Sequence, residues 1–133
     1  MNFLKNQFPQ PHPDLSPQDV VKIQLDALQN NDLFRDNRGI RAAFLFASPE
    51  NQAMTGPVER FIEMVKNPLY APMIGFERAE LGLMVLLGSM AQQRVRLYQR
   101  GGTVATFVFT LSRQQTAPYE GCWMTDSVVP QAD

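Results

Sequence analysis

The sequence predicts a single α+β domain in which helices come first and an antiparallel sheet follows. Apolar residues recur every three to four positions between residues 16 and 67, and they alternate with a period of two over much of residues 76–129. The chain has 133 residues, which is long enough for one hydrophobic core and short for two. Helices followed by a run of antiparallel strands predict a curved sheet whose concave face the helices cover.

Residues 1–15 are predicted to form an extended arm. Pro9, Pro11 and Pro13 occupy alternate positions, and proline supplies no backbone donor for a helix or a sheet. The only histidine, His12, lies among these prolines. The folded domain is therefore predicted to span residues 16–133.

Three helices are predicted in the first half of this domain. The first begins at Ser16, whose hydroxyl can cap it and which Pro17 follows at the first helical position. The second covers residues 39–47 and ends before Pro49, because the residue that precedes a proline avoids helical geometry. The third covers residues 58–65, where apolar side chains recur at helical spacing.

The second half predicts an antiparallel sheet of at least four strands. Residues 91–98 and 103–112 alternate in polarity and flank two consecutive glycines, which predicts a hairpin. Residues 121–129 predict a further strand. Residues 76–87 fit a strand or an apolar helix, and the glycines within and after this segment favour the strand.

Composition excludes several classes of function. Twelve basic and thirteen acidic residues give a net charge of -1, so the chain lacks the excess positive charge that nucleic-acid binding needs. One cysteine and one histidine argue against a disulfide framework and a His-rich metal site, and we expect no metal or cofactor. The longest apolar run, residues 81–87, is shorter than the roughly 20 residues of a membrane span. The N-terminus lacks the pattern of a secretory signal, so we expect a cytoplasmic protein.

Three segments carry a resemblance to a known family. SPQDVVKIQLDALQNND, AAFLFASPENQAMTGPVERFIEMV and PYEGCWMTDSV, in this order and spacing, resemble an uncharacterised domain family of the nuclear-transport-factor-2-like (SnoaL-like) superfamily. The resemblance implies a cone-shaped α+β fold with a pocket between helices and bent sheet, and often a dimer formed through the sheet. Such cones include isomerases, dehydratases, cyclases, small-molecule binders and interaction modules, so the resemblance alone implies no single function.

The apolar residues on the predicted concave side either form a packed core or line a cavity for a hydrophobic small molecule. Catalytic members of the superfamily place an acid/base pair in such a pocket. Asp126 is the candidate base, because alternation puts it on one face with Cys122 and Met124, and Tyr119 is the candidate proton donor. The other interpretation pairs Asp126 with an arginine or a backbone donor. The candidate pocket-lining residues are Phe44, Phe61, Phe107, Phe109, Leu111 and Met124.

The opposite, convex face of the sheet is predicted to be buried against a second copy of the chain. Its mixture of β-branched, arginine and aromatic side chains is typical of an interface. Trp123 belongs to this face if Asp126 points inward, and it lines the pocket if the two faces are reversed. The candidate interface residues are Arg94, Arg96, Tyr98, Thr106, Val108 and Trp123.

These observations favour a non-enzymatic module that binds a protein partner or a hydrophobic small molecule. The alternative is an acid/base enzyme of the lyase or isomerase type, acting on a hydrophobic substrate through Asp126 and Tyr119.

Overall fold

A computed structural model describes residues 9–33 and 35–132 of the chain. The described residues form four α-helices and then four β-strands, which confirms the predicted α+β class and the order of the elements. The helices are α1 (Pro17–Gln29), α2 (Arg38–Leu45), α3 (Pro49–Thr55) and α4 (Val58–Lys66). The strands are β1 (Arg78–Leu87), β2 (Met90–Tyr98), β3 (Val104–Arg113) and β4 (Trp123–Gln131). Short 3-10 turns cover Asn31–Leu33 and Ala71–Met73.

Helix α1 begins at the predicted position. The hydroxyl of Ser16 accepts the backbone N–H of Asp19 at 3.0 Å, and the Asp19 carboxylate accepts the backbone N–H of Ser16 at 2.9 Å. This reciprocal pair satisfies two of the donors that a helix leaves free at its N-terminus. Residues 9–15, which precede the helix, form neither helix nor strand, as predicted for this part of the arm. Residues 1–8 of the predicted arm lie outside the described residues.

The prediction of three helices is wrong, because α3 is a fourth. The sequence analysis interprets the pair Ser48-Pro49 only as a stop for α2. In the structure, the Ser48 hydroxyl also accepts the backbone N–H of Asn51, and Pro49 occupies the first helical position. The same pair therefore ends one helix and starts the next.

The strands form one curved antiparallel sheet in the order β1-β2-β3-β4, so β1 and β4 are its two edges among the described residues. Residues 76–87, which fit either a strand or an apolar helix by sequence, contain strand β1. Alternate residues of β2 and β3 point toward the helices and are at most 2% exposed: Ala91, Gln93, Val95, Leu97, Phe107, Phe109 and Leu111. We call this the inner face, and we call the face that carries the intervening residues the outer face.

Two β-bulges interrupt the alternation in the edge strands. The first lies between Leu81 and Met84 of β1. The second makes Asp126 the extra residue of β4, because Thr110 pairs with Ser127 whereas Leu111 pairs with Thr125. A bulge shifts every later side chain by one position relative to simple alternation.

A glycine and a buried asparagine fix the packing of α2 against α1. A β-carbon on Gly39 would overlap the carbonyl oxygen of Ala27, so only glycine allows this approach of the two helices. Asn31, which is 1% exposed, accepts the backbone N–H of Ile40 on its side-chain oxygen at 2.9 Å. The contact thus pairs one of the donors at the start of α2 within the protein interior.

Candidate functional site

The side chains predicted to line a cavity are largely buried in the interior. Phe107, Phe109, Leu111 and Met124 are at most 1% exposed. The half-buried rings of Phe44 and Phe61 lie against each other, with centroids 4.9 Å apart. None of these six predicted residues lines either of the two clefts described below.

Asp126 and Tyr119 do not share a cleft. Asp126 lies at the β4 bulge, in a cleft of about 540 Å³ formed by α3, α4, the turn after α4 and β4. Tyr119 lies in the loop before β4 and does not line this cleft. The tyrosine at the cleft is Tyr70, which the sequence analysis did not single out. Its hydroxyl donates to the backbone oxygen of Val128 at 3.0 Å.

The predicted pairing of Asp126 with an arginine or a backbone donor is not seen among the described residues. Its side chain, in a half-buried residue, makes no hydrogen bond or ion pair there. The β4 bulge is the physical reason that Asp126 lies in surroundings different from those predicted. It removes Asp126 from the alternation that would align it with Cys122 and Met124, and it turns Thr125 toward α1 instead.

The lining of the Asp126 cleft is apolar and acidic. Among the described residues, two carboxylates contribute to it, those of Glu50 and Asp126, and no lysine, arginine or histidine does. Four apolar side chains, Met54, Met64, Val128 and Val129, form much of the remaining wall. The other lining residues are Ser48, Asn51, Thr55, Tyr70 and Ser127.

Side-chain hydrogen bonds tie the walls of this cleft together. The Asn51 side-chain nitrogen in α3 donates to the backbone oxygen of Thr125 in β4 at 3.0 Å. The Thr55 hydroxyl donates to the backbone oxygen of Asn51 at 2.9 Å. The bond from Thr55 lies within α3, whereas those of Asn51 and Tyr70 hold α3 and the turn after α4 against β4, so the cleft has preformed walls.

A second cleft, of about 750 Å³, lies between the end of α1 and the start of β1. The Gln29 side-chain nitrogen donates to the backbone oxygens of Phe76 and Glu77, at 3.0 and 3.1 Å, and joins its two sides. Its charged lining residues, Asp32, Glu77 and Arg100, are of both signs. This cleft therefore presents no single charge to a ligand.

The predicted interface residues of β2 take part in a cross-strand ladder on the outer face. Arg96 lies 3.6 Å from the Glu80 carboxylate, and the Arg78 guanidinium lies 3.6 Å above the centre of the Tyr98 ring. Arg94 is exposed on the same face. An arginine over an aromatic ring is a favourable cation–π contact, so this end of the outer face is internally paired.

The three other predicted interface residues differ in how much outer surface they offer. Thr106 is 4% exposed, whereas its neighbour Val108 is half-buried. Trp123 takes the second of its two predicted positions: it pairs with Arg113 on the inner side of the sheet and packs against the helix-side core, so it does not belong to the outer face. The pairing of β4 with β3 sets this facing, which alternation along β4 alone leaves open.

The largest apolar exposure near the sheet edge is on the hairpin that joins β1 and β2. We call its five exposed large apolar residues the apolar hairpin. They are Leu83 (85% exposed), Val85 (56%), Leu86 (59%), Leu87 (80%) and Met90 (43%). Val85 and Leu87 point to the outer face, where they pair with Gln92 and Met90. The sequence pattern of this apolar run was weighed as a strand, a helix or a membrane span, but its role as an exposed surface was missed.

The described residues contain few groups of unusual reactivity. Burial raises the pKa of the free Cys122 thiol, which disfavours the reactive thiolate. The side-chain hydrogen bond from Arg38 lowers the pKa of the exposed Asp36. No group of three or more histidine, cysteine or acidic residues in the described part of the chain is arranged to hold a metal ion. Within the same residues, none of the helices has the length and apolar character that crossing a membrane requires.

Comparison with known proteins identifies a family. No curated protein and no solved structure matches the chain. Residues 12–131, nearly the whole chain, match the family described as Domain of unknown function (DUF4864). The chain therefore belongs to this family.

Proposed function

We propose that this domain is a protein-interaction module that forms a dimer with a second copy of itself through the apolar hairpin and the adjoining outer face. The observation that carries the proposal is the exposure of five large apolar side chains on one edge hairpin. Residues 81–91 contain no charged residue and no proline. Natural edge strands usually carry such residues as protection against pairing, so an apolar stretch without them suits a strand that is covered in the working protein.

The size of the patch suits a contact between proteins. Added together, the exposed fractions of the five side chains equal about three fully exposed side chains. Complete burial of that much apolar surface would contribute about 5–9 kcal/mol of free energy. Association costs about 4–15 kcal/mol in lost freedom of motion. The apolar hairpin therefore supplies a large part of the required free energy, and the adjoining outer face around Val108 supplies further contact area.

A second copy is the occupant that we favour. A twofold dimer lets the same uncharged patch cover itself, so that both exposed surfaces are buried in one contact. The net charge of -1 adds little repulsion between two copies. The outer-face ladder beside the patch carries both signs, Arg96 against Glu80, so it adds no strong like-charge conflict.

Two finer statements belong to the same proposal. We infer a cone-shaped fold of the nuclear-transport-factor-2-like superfamily, which the packing of helices on one face of a curved, four-stranded antiparallel sheet supports. We also infer a cytoplasmic location, in keeping with Cys122, which is a free thiol. The acid/base alternative has weaker support, because Tyr119 lies outside the cleft of Asp126.

Light scattering of wild type and two variants tests the proposal. Leu87→Glu places a charge in the apolar hairpin, and Leu69→Glu, at another exposed leucine (59%), is the matched control. We expect dimers of wild type and Leu69→Glu at micromolar concentration, and monomers of Leu87→Glu with an unchanged circular dichroism spectrum. Equal masses for Leu87→Glu and wild type would overturn the proposal. A wild-type monomer that binds a different protein through the hairpin would overturn the choice of partner.

A further inference from the structure

We propose that the Asp126 cleft is a binding site for a small molecule that carries a primary ammonium group on an apolar body. This inference does not depend on the proposed dimer, because the cleft lies along β4, at the opposite edge of the sheet from the apolar hairpin.

The charge of the lining selects the head group. The cleft contains the carboxylates of Glu50 and Asp126, and none of the described residues that line it is a basic residue that would neutralise them. Asp126 is half-buried and makes no hydrogen bond or ion pair with another described residue, so its acceptor capacity remains available to a ligand. A carboxylate in these surroundings gains from a charge-assisted hydrogen bond, and an ammonium group brings three donors.

The hydroxyl groups in the lining favour a primary ammonium over a quaternary one. Ser48, Thr55 and Ser127 are further oxygen acceptors for N–H donors. Quaternary ammonium groups, which have no N–H, are typically held in cages of several aromatic rings. Of the lining residues that the structure describes, Tyr70 alone is aromatic, and its hydroxyl is already bonded to Val128.

The apolar part of the lining selects the body of the ligand. Met54, Met64, Val128 and Val129 provide contacts for an aryl or alkyl group, and methionine adapts well to aromatic rings. The volume of about 540 Å³ falls within the range of about 300–1,000 Å³ that is typical of small-molecule sites. The hydrogen bonds of Asn51 and Tyr70 to β4 preform the walls, so little ordering is needed on binding.

The test is an NMR titration of protein with isotope-labelled methionine methyl groups, using phenethylamine and phenylacetate at neutral pH. The two probes share a phenyl body and differ in the sign of their charge. Met54 and Met64 report on the cleft, Met90 reports on the apolar hairpin, and the buried Met73 reports on the integrity of the fold. We expect phenethylamine alone to shift the Met54 and Met64 signals to saturation, with Met90 unaffected.

Three variants identify the groups that are responsible. Asp126→Asn should weaken phenethylamine binding about tenfold, the loss expected for one charge-assisted hydrogen bond. Glu50→Gln, at an exposed site, should weaken it about threefold and serves if Asp126→Asn alters the Met73 signal. Glu63→Gln removes an exposed carboxylate of α4 outside the cleft and should bind as wild type.

Several results would overturn the proposal. In the titration, these are the absence of saturable shifts at Met54 and Met64, and equal binding of phenylacetate. A shift of Met90 that accompanies the others would likewise do so, because it marks nonspecific apolar contact. Among the variants, the contradicting result is unchanged affinity in both Asp126→Asn and Glu50→Gln.

Discussion

Thr125 in β4 donates a hydrogen bond from its hydroxyl to the side-chain oxygen of Gln24 in α1, at 2.6 Å. The nitrogen of the same Gln24 amide donates to the backbone oxygen of Ala43 in α2 at 3.0 Å. Gln24 and Thr125 are at most 5% exposed. One buried amide therefore joins two helices and the sheet, and each of its partners would lose a hydrogen bond if it were removed.

We predict that Gln24→Leu destabilises the domain by about 1–3 kcal/mol, because the Thr125 hydroxyl and the Ala43 carbonyl are left buried without this partner. Urea unfolding followed by circular dichroism measures the change. Gln18→Leu, at an exposed position of the same helix, is the control and should change stability by less than about 0.5 kcal/mol. A Gln24→Leu variant as stable as Gln18→Leu would contradict the role of the buried amide.

We predict that Gly39→Ala costs about 3 kcal/mol of stability, since its β-carbon would overlap the Ala27 carbonyl and force α1 and α2 apart. Gly101→Ala is the matched control, because a β-carbon there meets nothing within 4 Å. Thermal unfolding of the two variants gives the comparison. A similar loss of stability in both would mean that the close approach of the helices does not constrain residue 39.

We predict slow alkylation of Cys122 in the folded protein. Burial raises the pKa of its thiol, so the folded state favours the neutral form. The stability that this preference contributes is therefore present below the pKa of the thiol in the unfolded chain. It is lost as the pH rises through the pKa of the thiol in the folded protein. At pH of about 8.5, iodoacetamide should react at least about tenfold more slowly with folded protein than with protein in urea. Mass spectrometry of timed samples measures both rates, and equal rates would refute the burial argument.

The sequence predicted the elements whose signals are local. Ser16 and Pro17 mark the start of α1, and the alternation in residues 103–112 marks β3, because capping and pleating act between neighbours in the chain. The separate helix α3 was missed, since Ser48-Pro49 was interpreted only as a stop. Serine followed by proline is also a local start signal for a helix, and the Ser48 hydroxyl caps α3 by accepting the Asn51 backbone N–H.

The position of the candidate site depends on features that local patterns do not determine. The bulge at Asp126 is set by the pairing of β4 with β3, and the same pairing places Trp123 on the inner face. At the other edge, the Gln93 side-chain nitrogen donates to the backbone oxygen of Gly82, at the β1 bulge, across 2.8 Å. Such long-range contacts decide which side chains face solvent, and no periodicity in the chain records them.

The central claim, that the apolar hairpin is buried against a second copy, is tested most directly by sedimentation equilibrium of wild-type protein from about 1 to about 100 μM. We expect one reversible monomer–dimer equilibrium, with the average mass rising with concentration from the chain mass of 15.1 kDa toward twice that value. A mass of one chain at every concentration would rule out the dimer.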